Sequence, residues 1–218
     1  IMSTTILLTA TVNVQSKPII YQINKEERIN TYLKAIRQWL TKTNFKIVLV
    51  ENSGYTFPEL QEEKEFFKDR FEIISFQESQ FKEAKYLERE EGKGGSEMYA
   101  IHFAYYFSKF IRNSIFIIKV TARFFIPELE DYLTTKDLNT YDGLCQNDVN
   151  RCEMVGSHIK NFHIIFNKYL INENGIYEQH VENIYKMRMG WFNNILQCKV
   201  LDIEPTQRGG VPEIFYNI

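Results

Sequence analysis

Four short apolar runs, separated by segments of helical periodicity, constrain this chain more than any other feature. From Thr5 to Val14, Ile6, Leu8, Ala10, Val12 and Val14 alternate with mostly Thr and Asn, which predicts a strand. From about Lys25 to Thr41, Ile29, Tyr32, Leu33, Ile36, Trp39 and Leu40 recur at helical spacing, with Glu26, Glu27, Arg28, Lys34 and Arg37 expected on the wet side. Lys46 to Glu51 (KIVLVE) reads as a buried strand, closed by the turn residues Asn52-Ser53-Gly54. Pro58 suits the first turn of a helix reaching Arg70, because its missing N–H is not needed there. Phe71 to Phe76 (FEIISF) and Ser114 to Thr121 (SIFIIKVT) read as further strands. Between them lie a charged stretch, Lys82 to Lys93, and a helix from Glu97 to about Ile111, and Pro127 opens a short helix through Leu133. Strand and helix alternating in this way predict an α/β fold, with a mainly parallel sheet and helices on both faces.

After about Tyr141 the rhythm breaks. Gly143 to Val149 and Glu153 to Ser157 read as short antiparallel strands, followed by helices near Lys160 to Leu170 and Tyr177 to Met189. A last strand, Lys199 to Ile203, runs into a polar tail containing Arg208-Gly209-Gly210. With no repeat or low-complexity linker, residues 1–218 read as one domain: about 1–140 a nucleotide-binding half, about 141–218 a mixed acceptor or lid half.

Composition narrows the function classes. With 26 basic and 28 acidic residues the net charge is −2, so no whole-molecule attraction to nucleic acid is expected and any anion site is a local cluster. The three cysteines, Cys145, Cys152 and Cys198, lack a CxxC spacing, which favours a reducing, cytoplasmic setting over a disulfide framework. No apolar run reaches the roughly 18 residues of a membrane span, and no signal peptide is expected. Exposed aromatics are compatible with peripheral membrane contact. The histidines match neither HExxH nor a zinc spacing, and no GxSxG elbow occurs.

In open α/β sheets ligands bind beyond the carboxyl ends of the strands, so the residues there are the site candidates. Thr9, Thr11 and Asn13 with Val14 and Gln15 flank the first strand end; Glu51, Asn52 and Ser53 close the second; Lys119, Thr121 and Arg123 close the fourth. All could hydrogen-bond a base, ribose or diphosphate, although strand ends are commonly polar simply because they reach water. Gly92-Lys93-Gly94-Gly95-Ser96 precedes a helix, where glycines admit a ligand and the helix terminus favours anions; the bland reading makes Ser96 an N-cap. Lys119 interrupts an apolar strand and must find a partner or reach a cleft, and with Arg123 it could neutralise a leaving diphosphate. Glu178 and Glu182, four apart on an expected helix, would share one face and could supply a general base.

Taken together, TILLTATVNV, IVLVENSGY, GKGGSE and KVTARFF, in that order, resemble the GT-A type of nucleotide-diphosphosugar glycosyltransferase. KVTARFF is similar to a K-[IV]-TGR-[YF]-F segment of small viral and bacterial surface-glycan transferases, with Ala122 in place of the glycine. The resemblance implies transfer of a hexosyl or deoxyhexosyl group from a nucleotide-diphosphosugar donor to a glycan or other hydroxyl acceptor. It implies nucleotide contacts at Glu51, Asn52 and Ser53 and at Lys93 to Ser96. It also implies Mn²⁺ or Mg²⁺ at a DxD after the fourth strand, where this chain has Lys119-Val120-Thr121 instead. The nearest substitute is Asp148 of Asp148-Val149-Asn150, so metal-assisted and cation-assisted mechanisms both stand, as do inversion and retention. The alternatives are a non-catalytic nucleotide-sugar or glycan binding module on the same fold, and a nucleotidyltransferase.

Overall fold

The computed structural model describes residues 3–14, 24–89, 93–208 and 211–218. Gln15, Gly92, Gly209 and Gly210, named above, lie outside them. Seven strands form one sheet: β1 (Thr4–Ala10), β2 (Lys46–Glu51), β3 (Phe71–Ser75), β4 (Phe116–Thr121), β5 (Gly143–Cys145), β6 (Met154–His158) and β7 (Ile195–Gln197), in the order β3-β2-β1-β4-β6-β5-β7. β6 alone runs against its neighbours β4 and β5. The helices are α1 (Lys25–Lys42), α2 (Gln61–Phe66), α3 (Gly94–Phe107), α4 (Leu129–Thr134), α5 (Phe162–Ile165) and α6 (Val181–Met189). A separate hairpin, β8 (Asp202–Gln207) and β9 (Ile214–Asn217), completes the described elements.

The central strands are buried on both sides, and alternate residues serve two different layers. Ile6, Leu8, Ile47, Leu49, Ile118 and Val120 pack with the α1 residues Tyr32, Ile36 and Trp39 and with Leu129 and Leu133 of α4. Leu7, Val48, Val50 and Ile117 pack with Met98 and Ile101 of α3, Phe162 of α5 and Ile184 of α6. Helix α1 is well anchored: Asn24 accepts from the amides of Glu26 (3.0 Å) and Glu27 (3.2 Å), and the Trp39 indole donates to the Phe124 carbonyl at 2.9 Å.

The structure revises several expected boundaries. β1 stops at Ala10 because the next amides turn to side chains at the end of β2: Val12 N donates to Glu51 (2.9 Å) and Asn13 N to Ser53 (2.9 Å). The helix expected from Pro58 is a 3-10 turn, Pro58–Leu60, followed by the short α2. The helix expected near Lys160 to Leu170 shrinks to α5, because the buried Arg188 guanidinium takes the carbonyls of Ile165, Asn167 and Tyr169. α6 starts at Val181 rather than Tyr177, since Ile171 and Tyr177 form a bridge across a turn with Gly175 at φ 73°. The last expected strand is displaced to β8, and β7 and β9 are additional. Arg28, expected on the wet side of α1, is only 3 % exposed.

Gly156 shows how tightly β6 is gripped. A Cβ there would stand 2.8 Å from the Phe116 ring and 2.9 Å from the Leu144 Cβ. Gly156→Ala should therefore cost about 1–3 kcal/mol of stability, read as a lowered urea midpoint. An unchanged midpoint would contradict this packing.

Candidate functional site

Lys119 finds a partner instead of a cleft. Its side chain is fully buried, on the α3 side of β4 between Leu7 of β1 and Val155 of β6. The ammonium lies 3.3 Å from both carboxylate oxygens of Glu97 and donates to the Cys152 carbonyl at 2.5 Å. Thr9 Oγ1 donates to the same Glu97 at 2.6 Å. Burial pushes the lysine pKa down, but the Glu97 carboxylate and its neighbours outweigh it and hold the group charged. This knot fixes the first turn of α3 over the ends of β1, β4 and β6. Lys119 is therefore a structural cation with no exposed surface for a ligand.

A second knot joins β1 to β2. Glu51, wholly buried, accepts from Val12 N (2.9 Å), Ser53 N (3.0 Å) and Tyr55 N (2.7 Å), and from the Ser53 hydroxyl. Burial raises its pKa despite these hydrogen bonds. Thr11 donates to Asn52 Oδ1 at 2.7 Å, and the Asn13 amide side chain donates to Ser53 O at 3.3 Å. Thr11, Asn13, Glu51, Asn52 and Ser53 are thus brought together, as the strand order requires, but largely satisfy one another. Asn13 is exposed and Thr11 partly so, which leaves those two surfaces open at the strand ends.

The charge that remains gathers beside these knots. Lys93 stands at the N-cap position of α3, a helix start with no side-chain cap. Its pKa is pushed down to about 8, first by burial and then by the nearby guanidiniums of Arg123, Arg28 and Arg208, with Glu97 opposing. Arg123 emerges from the turn closed by Phe124 N on Thr121 O (2.9 Å), and its buried Nε has no hydrogen-bond partner among the described residues. Thr121 is half-buried beside it. Ala122 is buried with no positive φ, so alanine serves where the resembling segment has glycine. Arg28 donates through Nε to Thr11 O at 3.0 Å and through Nη2 to Tyr32 Oη at 3.1 Å. Arg208, after β8, meets Glu153 at 3.2 Å and Glu182 at 3.5 Å. Lys93 and Arg123 were legible as candidates. Arg28 was missed because helical spacing put it on the wet side, and Arg208 because nothing local marks a residue that arrives from a distant hairpin.

The glycine turn and the two glutamates take definite places. A Cβ on Gly94 would come within 2.7 Å of Val181, so the starts of α3 and α6 touch. Gly95 is buried, and Ser96 is no N-cap: it lies inside the first turn and donates to Glu78 at 3.2 Å. Glu182, next to Val181, lies in the first turn of α6 near Arg208. Glu178 precedes the helix and accepts from His180 N at 2.9 Å, so the two do not share a helical face. Asp148 is exposed and accepts from Asn150 N (3.0 Å) and Nδ2 (3.3 Å), a closed local turn. Among the described residues no three His, Cys, Asp or Glu side chains converge to hold a metal ion. The end of β4 presents cations where a metal would need carboxylates, so these residues do not fit a divalent cation.

No protein-family model and no curated protein matches the sequence. Among solved structures, the glycosyltransferase GlyE of Streptococcus pneumoniae TIGR4 aligns with a TM-score of 0.54 at 12 % identity, over 91 % of this chain and 45 % of its own. Residues 1–349 of TarS from S. aureus align with a TM-score of 0.50 at 12 % identity, over 89 % of this chain and 57 % of that one. The chain has a GT-A fold. It spans about half the length of these two proteins, and at such identities the likeness concerns the fold. The end of β4, where the resemblance implied a DxD, carries Lys119-Val120-Thr121, and the glycine turn opens α3.

Lys119→Met should leave Glu97 without its partner and cost about 3 kcal/mol or more in chemical unfolding. A variant as stable as the parent would show that α3 is held otherwise.

Proposed function

We propose that this chain transfers a hexosyl or deoxyhexosyl group from a nucleotide-diphosphosugar to a hydroxyl of a glycan acceptor. The observation that carries the reading is the placing of four cations around the strand ends: Lys93 at the uncapped start of α3, Arg123 in the turn after β4, Arg28 on the Thr11 carbonyl after β1, and Arg208 on Glu182 of α6. A diphosphate leaving group develops negative charge as the glycosidic bond breaks, and fixed cations with helix amides stabilise that charge without reorganising. The Arg123 Nε has no hydrogen-bond partner among the described residues and supplies one such donor. Thr11, Asn13 and Thr121 line the approach for the nucleoside, with Glu51, Asn52 and Ser53 holding them in place. In an inverting reaction Glu182 is the base that takes the acceptor proton, since it borders the cluster whereas Glu178 closes a local turn. A retaining reaction needs no such base. The three cysteines are free thiols, which suits a cytoplasmic site of action.

Thermal shift against UDP-, GDP-, dTDP- and CMP-sugars, followed by acceptor-free hydrolysis of any stabilising donor, tests the reading. Absence of both stabilisation and cleavage would sink it. Stabilisation without turnover would identify a binding module, and pyrophosphate release from a nucleoside triphosphate a nucleotidyltransferase. Arg123→Met should weaken nucleoside diphosphate binding about tenfold or more, while Lys168→Ala should leave it unchanged. Binding should also weaken as pH rises through about 8, where Lys93 loses its proton, and Lys93→Met should flatten that step. Ligand-free stability runs the other way: the lysine pKa is lower folded than its ordinary 10.5, so its penalty is full below about 8 and relieved above it. For an inverting enzyme Glu182→Gln should lower kcat by about 10²–10⁴-fold with donor affinity retained.

A further inference from the structure

The rim of the sheet that carries the cations also carries a cavity. Strand β6 runs against β4 and β5, so β4, β5 and β7 all end on one rim, with the start of β6 between the ends of β4 and β5. Two strand spacings, about 10 Å, separate β4 from β5. At the ends of β5 and β7 lies a cavity of about 380 Å³. Its wall is apolar: Val149, Val155, Met189, Phe192 and Ile195 line it together with Cys145. The exposed Lys186, Asn193 and Gln197 stand at its mouth, and among the described residues no Asp or Glu lines it. Of its two cations, Arg151 faces Glu153 at 3.3 Å, and the exposed Lys186 donates to Asn150 Oδ1 at 3.2 Å. Arg208 nearby is matched by Glu153 at 3.2 Å and by Glu182 at 3.5 Å. The guanidiniums are thus answered by the protein's own carboxylates, and what the wall offers a ligand is apolar surface.

Helix α6 relates this cavity to Glu182. Tyr185, Lys186 and Met189 line it and follow Glu182 by three, four and seven residues, so all four share one helical face. The cavity begins one helical turn, about 5.4 Å, beyond Glu182. That gap is the scale of one pyranose ring. A sugar whose hydroxyl meets Glu182 would lie over the first turn of α6, and the group attached to it would enter the cavity. We infer that the cavity takes an apolar aglycone, so that the acceptor is a glycoside carrying an aromatic or aliphatic group on its anomeric carbon. The inference rests on the transferase reading and adds the chemical class of the acceptor. Moving such a group from water onto an apolar wall is favourable in proportion to the area covered, whereas a free sugar, hydrated all round, gains little there. Selectivity for the aglycone follows from that difference.

Cys145 gives a readout inside the cavity, because it is half-buried there while Cys152 and Cys198 are buried away from it. Its labelling with N-ethylmaleimide, mapped by peptide mass spectrometry, is followed with phenyl and methyl β-glucosides and β-galactosides. The phenyl glycosides should bind about tenfold or more tighter than their methyl counterparts, whichever the sugar, and should slow labelling of Cys145 accordingly. Saturation-transfer NMR measures the same preference without relying on the thiol. Val149 is half-buried on a loop, and Val149→Trp should fill the cavity and erase the preference with the melting temperature retained. Phe192→Ala, which removes wall instead of filling space, should weaken it. Equal binding of phenyl and methyl glycosides, no binding of any of them, or a preference untouched in both variants would overturn the inference. So would phenyl glycoside binding that leaves donor consumption unchanged, since a sugar held at Glu182 either takes the transferred group or excludes the attacking water. Acceptor-free donor hydrolysis, measured separately, reports on the transferase reading alone, so failure of either leaves the other readable.

Discussion

A lysine ammonium enclosed within the sheet dictates where the rest of the site can stand. Lys119 cannot reach water, so a carboxylate must be brought to it, and Glu97 in the first turn of α3 supplies that group. Because Thr9 of β1 and the Cys152 carbonyl before β6 join the same knot, four elements meet at one point. The start of α3 is thereby pinned over the strand ends. Unpairing either charge would leave the other in a medium that solvates it poorly, which makes the arrangement difficult to displace.

That pinning sets the electrostatics of the open site. With Lys119 neutralised, the field at the strand ends comes from Lys93, Arg123, Arg28 and Arg208, and the three guanidiniums depress the affinity of Lys93 for its proton. Like charges held close together are unfavourable until an anion comes between them. The carboxylates nearby do not form a metal cage, because Glu97, Glu153 and Glu182 each face a cation already.

The alternation of short apolar strands with amphipathic helices was legible because each local pattern agrees with the tertiary placement. KIVLVE is β2 residue for residue, and the crossovers leave a parallel arrangement as the economical solution. Lys93 and Arg123 could be nominated because they follow a glycine turn and a strand end. The role of Lys119 could not, since whether an interior lysine reaches a cleft or an acid depends on which helix covers it. Arg28 has the spacing of a solvent-facing residue, but its guanidinium bends back to the Thr11 carbonyl. Glu178 was misplaced because the periodicity of residues 177–189 does not reveal the Ile171–Tyr177 bridge that delays the helix. Pairing that periodicity does not register defeated each of these readings.

Arg208 gives the order of assembly an unexpected weight. All seven strands of the main sheet precede it in the chain, so the sheet can pair before this guanidinium has been synthesised, although Ile218 of the α1-side layer comes later still. The hairpin that carries it must then dock, with Phe215 lying against Arg151 at 4.3 Å and Glu204 against Gln38 at 2.9 Å. A nascent chain stalled before β8 would own a folded scaffold but an unfinished charge complement, with Glu153 and Glu182 facing the site unopposed by that group. Competence would thus arrive after foldedness, as a separate event in the life of the molecule.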